Sequence, residues 1–340
     1  MDLPILPAGG VVVTAHVRPM PTARAWSVRG WPTMFGSVVA WSYLLLVAAV
    51  WALAELVGER RLPTALLVYT PAFVWLGPAP LVLLWTWWRR RGVAVALAAT
   101  LLAAWGAGLL HWRPQSEGTL RVLTFNVKRG QDTTPQRLGT LLRGADADVI
   151  LLQEANFEAT GFATELRREL PGYRVLEAYE TTTLTRLPVV SSRDVNYPSD
   201  WREVLVTTVR WQGQPLTVVN AHPGRLKFGN ALAGDFTLMR PSLAVRAGQV
   251  GTVMDIVRAE TGRVLLGGDL NTPPRGQTYR DFIRVVGPDA HAVAGRGPGW
   301  TFPGLFARID HQFARGLTPS RARVLSVNQS DHRPLLVEYR

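Results

Sequence analysis

The pattern of apolar and polar positions divides the chain in two near Arg113. Ahead of it lie three apolar runs, at about 37–57 (SVVAWSYLLLVAAVWALAELV), 64–88 and 93–112. Each holds roughly the 20 residues that an α-helix needs to cross the hydrocarbon of a bilayer. Trp residues gather at their ends, where amphipathic rings sit in membrane proteins. One such run could be a buried helix of a soluble protein; three in succession are hard to place that way. Pro71, Pro78 and Pro80 interrupt the second run and predict a kink or a re-entrant pair of half-helices. The first run starts too late and is too long for a cleaved signal peptide.

Behind Gly118 the runs become short. Strands are expected at 120–127, 148–155, 173–178, 181–186, 204–211, 216–221, 263–268, 309–314, 322–327 and 335–339. Helices are expected at 135–143, at 164–170 ahead of Pro171-Gly172, and at 242–260, the longest amphipathic stretch. The expected organisation is therefore an N-terminal segment (1–36), a membrane region of about three helices (37–112), a polar linker (113–118) and an α/β domain (119–340).

Charge adds an orientation. Arg18, Arg24 and Arg29 precede the first run, and Arg89, Arg90 and Arg91 follow the second. The other side carries Arg60 and Arg61, offset by Glu59, and then Arg113. The excess of Arg places the N-terminal segment in the cytoplasm, and three crossings then place the α/β domain outside it. A re-entrant second run would return that domain to the cytoplasmic side. With 37 Lys+Arg against 25 Asp+Glu, the net charge of +12 suits anionic partners such as nucleic acid or acidic lipid headgroups. The chain has 0 Cys, which excludes disulfides, a thiolate nucleophile and Cys-ligated metals. Nothing in the sequence points to a protein partner.

The chemically capable residues of the α/β part sit where strands end: Asn126, Glu154, Asn220, His222, Asp269, Asn271, Asp310, Asp331 and His332. Strand ends on one edge of a layered fold converge on one surface. Glu154 closes an apolar strand, where a carboxylate needs a partner or a hard divalent cation. In GGDLNTPP, Asp269 could orient water or bind metal, and the Asn271 amide could hold a phosphate oxygen; alone, D-x-N is a common turn. His332 could be a base or acid if a carboxylate such as Asp310 fixed its tautomer. His222 could donate to a phosphoryl oxygen, and Asn126 could do the same or position Glu154. His16, His111, His291 and His311 fit no pattern.

Taken in order, TFNV (124–127), LLQEA (151–155), NAHPG (220–224), GGDLNTPP (267–274), RIDHQF (308–313) and SDHRPL (330–335) resemble the endonuclease/exonuclease/phosphatase superfamily, which includes DNase I. The resemblance spans nearly the whole α/β part. It implies a four-layer α/β sandwich of two packed, mainly antiparallel sheets flanked by helices. It also implies a phosphoester hydrolase using Mg²⁺ or Mn²⁺. Glu154 would bind the metal with Asn126 and nearby Asp331; Asp269 and Asn271 would orient nucleophile and phosphate. His332, oriented by Asp310, would be the catalytic histidine, and His222 would stabilise the transition state. Two positions depart from the pattern: Lys128 stands where abasic-site endonucleases have an acidic ligand, and the mid-domain turn reads Leu184-Thr185-Arg186. A phosphodiesterase or nuclease is expected first, a lipid phosphodiesterase or phosphatase second. The stretch 226–239 could be a lipid-facing loop in the second case or, preferred here, a buried excursion, and a degenerate scaffold is the non-enzymatic alternative.

Overall fold

The computed structural model describes residues 31–198, 201–227, 230, 234–235 and 237–340. The N-terminal arginines, His16 and part of the 226–239 stretch (228–229, 231–233 and 236) lie outside the described residues.

Among the described residues, eleven strands form two sheets. The first sheet contains β1 (Leu120–Asn126), β2 (Val149–Gln153), β3 (Arg174–Glu177), β4 (Thr182–Thr185), β10 (Pro319–Val324) and β11 (Leu335–Tyr339), in the order β10-β11-β1-β2-β4-β3. The second runs β5 (Val189–Asn196), β6 (Glu203–Trp211), β7 (Gln214–Asn220), β8 (Arg263–Asp269) and β9 (Asp310–Arg315), in sequence order. Each sheet has one parallel pair, β1 with β2 and β7 with β8; the remaining pairs are antiparallel. A parallel pair needs a crossover helix. These are α5 (Pro135–Ala145) and α7 (Met239–Ala259). Helix α5 starts at a Thr134 cap that accepts from Arg137 N, with Pro135 at the first helical position, where proline costs nothing.

The two sheets pack face to face, with helices outside, which gives the expected four layers. The strand β1 shows why its sequence is apolar throughout. Leu120 and Val122 face the second sheet beside Leu216, Val218 and Leu265, whereas Leu123 and Phe125 face α5 and α6 (Phe162–Glu169) beside Leu138, Leu142 and Leu166. Both faces are buried, so the strand does not alternate. Burying each such side chain contributes about 1.5–3 kcal/mol. On the far side, α7 and α8 (Gln277–Val285) cover β6 to β9 through Val253, Val257 and Phe282.

Polar ties cross the sheet interface. Gln153 donates from Nε2 to Asn220 Oδ1 (2.8 Å), and Asn220 donates to Leu152 O and Thr182 O (3.1 Å each). Gln312 of β9 donates to Val122 O and Leu335 O, and accepts from the Tyr339 hydroxyl. Asn220, a candidate from its strand-end position, thus joins the sheets instead of facing the site.

The helical part differs from three equal spans. Helix α1 (Trp31–Leu56) contains one stretch long and apolar enough to cross a membrane, Ser37–Leu56. The second run breaks at Thr70-Pro71: α2 (Leu62–Tyr69) and the helical segment Ala72–Arg89, which includes α3 (Ala79–Arg89), are bent by 81°. Proline lacks an amide donor and forces its predecessor out of the helical region, and Thr70 is extended at ψ 127°. The third run holds a helix of only 14 residues, α4 (Val93–Gly106). It stops near Gly108, at φ +76°, and the following residues dock on the α/β part: Arg113 N donates to Gly295 O (3.1 Å), and a His111 ring nitrogen lies 2.9 Å from His291 O. The helices meet through Ala40, Val47, Ala96, Ala99 and Ala103. Their large residues, Leu45, Leu56, Leu81, Leu84, Trp87, Trp88 and Leu101, point outward and are exposed.

Candidate active site

Parallel strands end at the edge where their antiparallel neighbours begin. The C-terminal ends of β1, β2, β7 and β8 and the beginnings of β9 and β11 therefore share one rim. Asp269 and Asp310 are direct cross-strand partners. Ser330 donates to Asn126 O (2.8 Å) and accepts from His332 N, which draws the SDH turn onto the end of β1.

Asp269 is the centre of the arrangement. Its Oδ2 accepts from Asn126 Nδ2 (3.0 Å) and lies 3.6 Å from His332 Nε2 and 3.5 Å from His222 Nε2. Its Oδ1 accepts from Asn271 N (3.0 Å). Behind each imidazole stands a second buried carboxylate. His332 Nδ1 lies 2.9 Å from Asp310 Oδ2, and His222 Nδ1 lies 3.1 Å from Glu180 Oε1. The result is two carboxylate–histidine pairs, each with one member from either sheet, meeting at one oxygen. Burial alone would lower the His332 imidazole, but the charges of Asp310 and Asp269 more than offset it and hold the group up at about 10. Burial likewise lowers His222, and Glu180 foremost, then Asp269, raises it above its ordinary value. The His332 ring is therefore cationic near neutral pH, and the Nε2 atoms of both rings lie toward Asp269.

The other expected residues fall on the same rim. Glu154 is half-buried in a left-handed conformation (φ +50°), and its Oε1 accepts from Asn126 Nδ2 (3.1 Å). Asn126 thus brackets Glu154 and Asp269, while its Oδ1 accepts from Lys128 N (2.9 Å). Asn271 is also left-handed (φ +47°), and its Nδ2 donates to Pro223 O (3.1 Å). Asp331 is exposed at the mouth. Lys128 hydrogen-bonds Asp132, which raises its ammonium foremost; the charges of Asp331 and Glu154 add to this, so both carboxylates lie around the cation.

Glu180 was not legible as a site residue. It lies in AYETTT, between β3 and β4, and only the packing of the two sheets brings it to His222. Arg202, 3.5 Å from Glu180, belongs to the same cluster. His311 and His291 lie behind the site. His311 Nδ1 is 3.0 Å from Arg308 Nη1, and its Nε2 is 2.7 Å from Thr272 O.

The model of the Endonuclease/Exonuclease/phosphatase family matches residues 123–332. The chain belongs to this family. Endonuclease/exonuclease/phosphatase proteins are metal-dependent phosphoester hydrolases, and this one is an enzyme of that kind. Its relatives include the UPF0294 protein YE0917 of Yersinia enterocolitica, 29% identical over 232 residues, covering 65% of this chain and 83% of that protein. A UPF0294 protein of Vibrio cholerae is 26% identical over 251 residues, 68% of this chain and 83% of that one. The truncated TDP2 of Caenorhabditis elegans shares the fold, with a TM-score of 0.50 at 18% identity, over 65% of this chain and 96% of that one.

Proposed function

We propose that this family member is a membrane-anchored, Mg²⁺-dependent phosphodiesterase or nuclease in which water attacks phosphorus directly. The observation that carries the reading is the meeting of His332–Asp310 and His222–Glu180 at Asp269. Two imidazole nitrogens flanking one carboxylate, one of them on the cationic His332, match a phosphoryl group, whose equatorial oxygens gain charge during attack. Asp269 orients the water and accepts its proton. His222 and His332 donate to phosphoryl oxygens, and His332 Nε2 is placed to protonate the leaving oxygen. Asn271 positions the phosphate.

Asp269, Asp310 and His332 offer ligand atoms within 4.8 Å of one another. A metal there would displace the proton that Asp310 and Asp269 hold on His332, so we assign these residues to proton and phosphate handling. Glu154 and Asp331 suit the metal better: hard oxygen donors, on a chain without thiolates, fit Mg²⁺ or Mn²⁺. Asn126 would aim Glu154. When bound there, the metal would draw negative charge off the phosphoryl group.

The anchor reading rests on the helices. Small residues meet inside the bundle and large apolar ones face out, as in helices packed within lipid. We take residues 37–112 as the membrane region and 119–340 as the catalytic domain. An extracytoplasmic domain requires the bent pair and α4 to cross as well as α1; protease digestion of intact cells reads the side directly. Apolar helices beside the site also favour a second substrate class, phospholipid or sphingolipid headgroups.

The test uses the full chain in detergent, offered DNA, RNA, phosphatidylcholine vesicles and sphingomyelin vesicles, with Mg²⁺ or EDTA. Hydrolysis should require Mg²⁺ and fall by roughly 10²–10⁴-fold in Glu154→Gln and His332→Ala. Turnover that survives EDTA, or survives both substitutions, would refute the reading.

A further inference from the structure

We infer that the N-terminal helices are a positioning element of the active site: Glu59 and Tyr69 hold the turn that carries Asp269 and Asn271. This rests on the phosphoesterase reading above. The turn runs from the end of β8 to the start of α8 and contains two non-glycine residues at positive φ, Asn271 (+47°) and Arg275 (+77°). Such conformations persist only where the surroundings over-determine them.

The helical region supplies that restraint at three points. The Tyr69 hydroxyl donates to the backbone carbonyl of Asn271 (3.1 Å). The Glu59 carboxylate accepts from Gln277 N (2.5 Å) and Thr278 N (2.8 Å). These are first-turn amides of α8, which have no partner inside the helix, and the residue at the cap position, Gly276, has no side chain to satisfy them. The contact is close enough to need glycine on both sides. A Cβ at Gly58 would lie 2.7 Å from Gln277 N, and one at Gly276 would lie 2.8 Å from Glu59 Oε2. Arg275 stacks over Trp105, 4.2 Å from the ring centroid, and Arg280 donates to Ala54 O (3.0 Å) and pairs with Glu55 (3.2 Å). From α7, Arg246 donates to Leu270 O (2.8 Å). The turn is thus held both by α7 and by the anchor.

Glu59 and Tyr69 touch no reacting atom; they act through Asn271 and Asp269. The experiment measures kcat and KM of the full chain in detergent with bis(4-nitrophenyl) phosphate and Mg²⁺. Its variants are Tyr69→Phe, Glu59→Gln and Glu59→Ala, with His332→Ala as the reference. Losing one hydrogen bond predicts a kcat roughly three- to tenfold lower for Tyr69→Phe, with KM within about twofold. Glu59→Ala should lose more, and Glu59→Gln, which keeps one acceptor, should recover part. Tyr69→Phe is nearly isosteric and should melt with the wild type. Wild-type kcat in Tyr69→Phe and both Glu59 variants, with His332→Ala inactive, would overturn the inference. So would a change confined to KM or to melting temperature. A fully active His332→Ala would instead refute the phosphoesterase reading, and this inference would fall with it.

Discussion

Gly268 lies one residue before Asp269, with φ +147°, a region essentially reserved for glycine. A Cβ placed there would lie 2.0 Å from the carbonyl oxygen of Ala221 and 3.0 Å from its carbon. Relieving that contact requires the ends of β7 and β8 to separate by about 1 Å, because carbon and oxygen approach no closer than about 3–3.5 Å without repulsion. Ala221 N donates to Gly267 O (3.1 Å), so the two ends are tied and the movement cannot stay local. His222 follows Ala221 directly, and its ring sits 3.5 Å from Asp269. A displacement of about 1 Å in a reacting geometry costs on the order of 100-fold, the loss expected for kcat/KM of Gly268→Ala. Backbone strain and overpacking together should destabilise the fold by about 2–5 kcal/mol. The control is Gly248→Ala in α7, where an added Cβ meets nothing within 4 Å. It should leave activity unchanged and raise stability by about 0.5–1 kcal/mol. Phosphodiester turnover and thermal unfolding of the two proteins decide the matter. Gly268→Ala with wild-type kcat/KM and an unchanged melting temperature would show that the geometry of this rim does not limit catalysis.

Two further predictions concern the buried charges behind the site. Asp289 pairs with Arg308 and accepts from the Tyr279 hydroxyl (2.8 Å), all inside the core, so Asp289→Asn should cost about 3–5 kcal/mol by leaving Arg308 without its counter-charge. Chemical denaturation measures this, and an unchanged midpoint would refute it. His291 is held down at about 3, by burial first and by Arg308 next. Below its ordinary value of 6.5 the unfolded chain binds a proton there that the folded chain does not, so this contribution falls with pH down to about 3. The stability of the wild type relative to His291→Gln should therefore drop by about 1.4 kcal/mol per pH unit from 6.5 downward, and a pH-independent difference would exclude it.

Much of the fold was legible because the inner strands are apolar on both faces, and β1, β2, β7, β8 and β11 read directly. The edge strand β5 was not, because VVSSRDVN is largely exposed and has no buried face to impose a period. Helix α8 escaped notice for a different reason: its cap comes from Glu59, far away in the chain, and a local start signal is absent. In the candidate site, the turn motifs carried Asp269, Asn271, Asp310 and His332, whereas Glu180 had no local signature. The helical runs showed the opposite failure. Hydropathy marked three segments of similar length, but proline geometry at Thr70-Pro71 divided the second, and the third ends early where His111 and Arg113 dock on the α/β part.

The amide ties between the sheets have a further consequence. Two apolar sheet faces can slide past one another at little cost, because oily contacts are nearly interchangeable. The side chains of Gln153, Asn220 and Gln312 are not interchangeable, since each must find its own partner in a dry interior. They act as dowels between two plates. His332 rides on one plate and His222 on the other, so the gap between the two imidazoles is gauged by amides buried well below the rim.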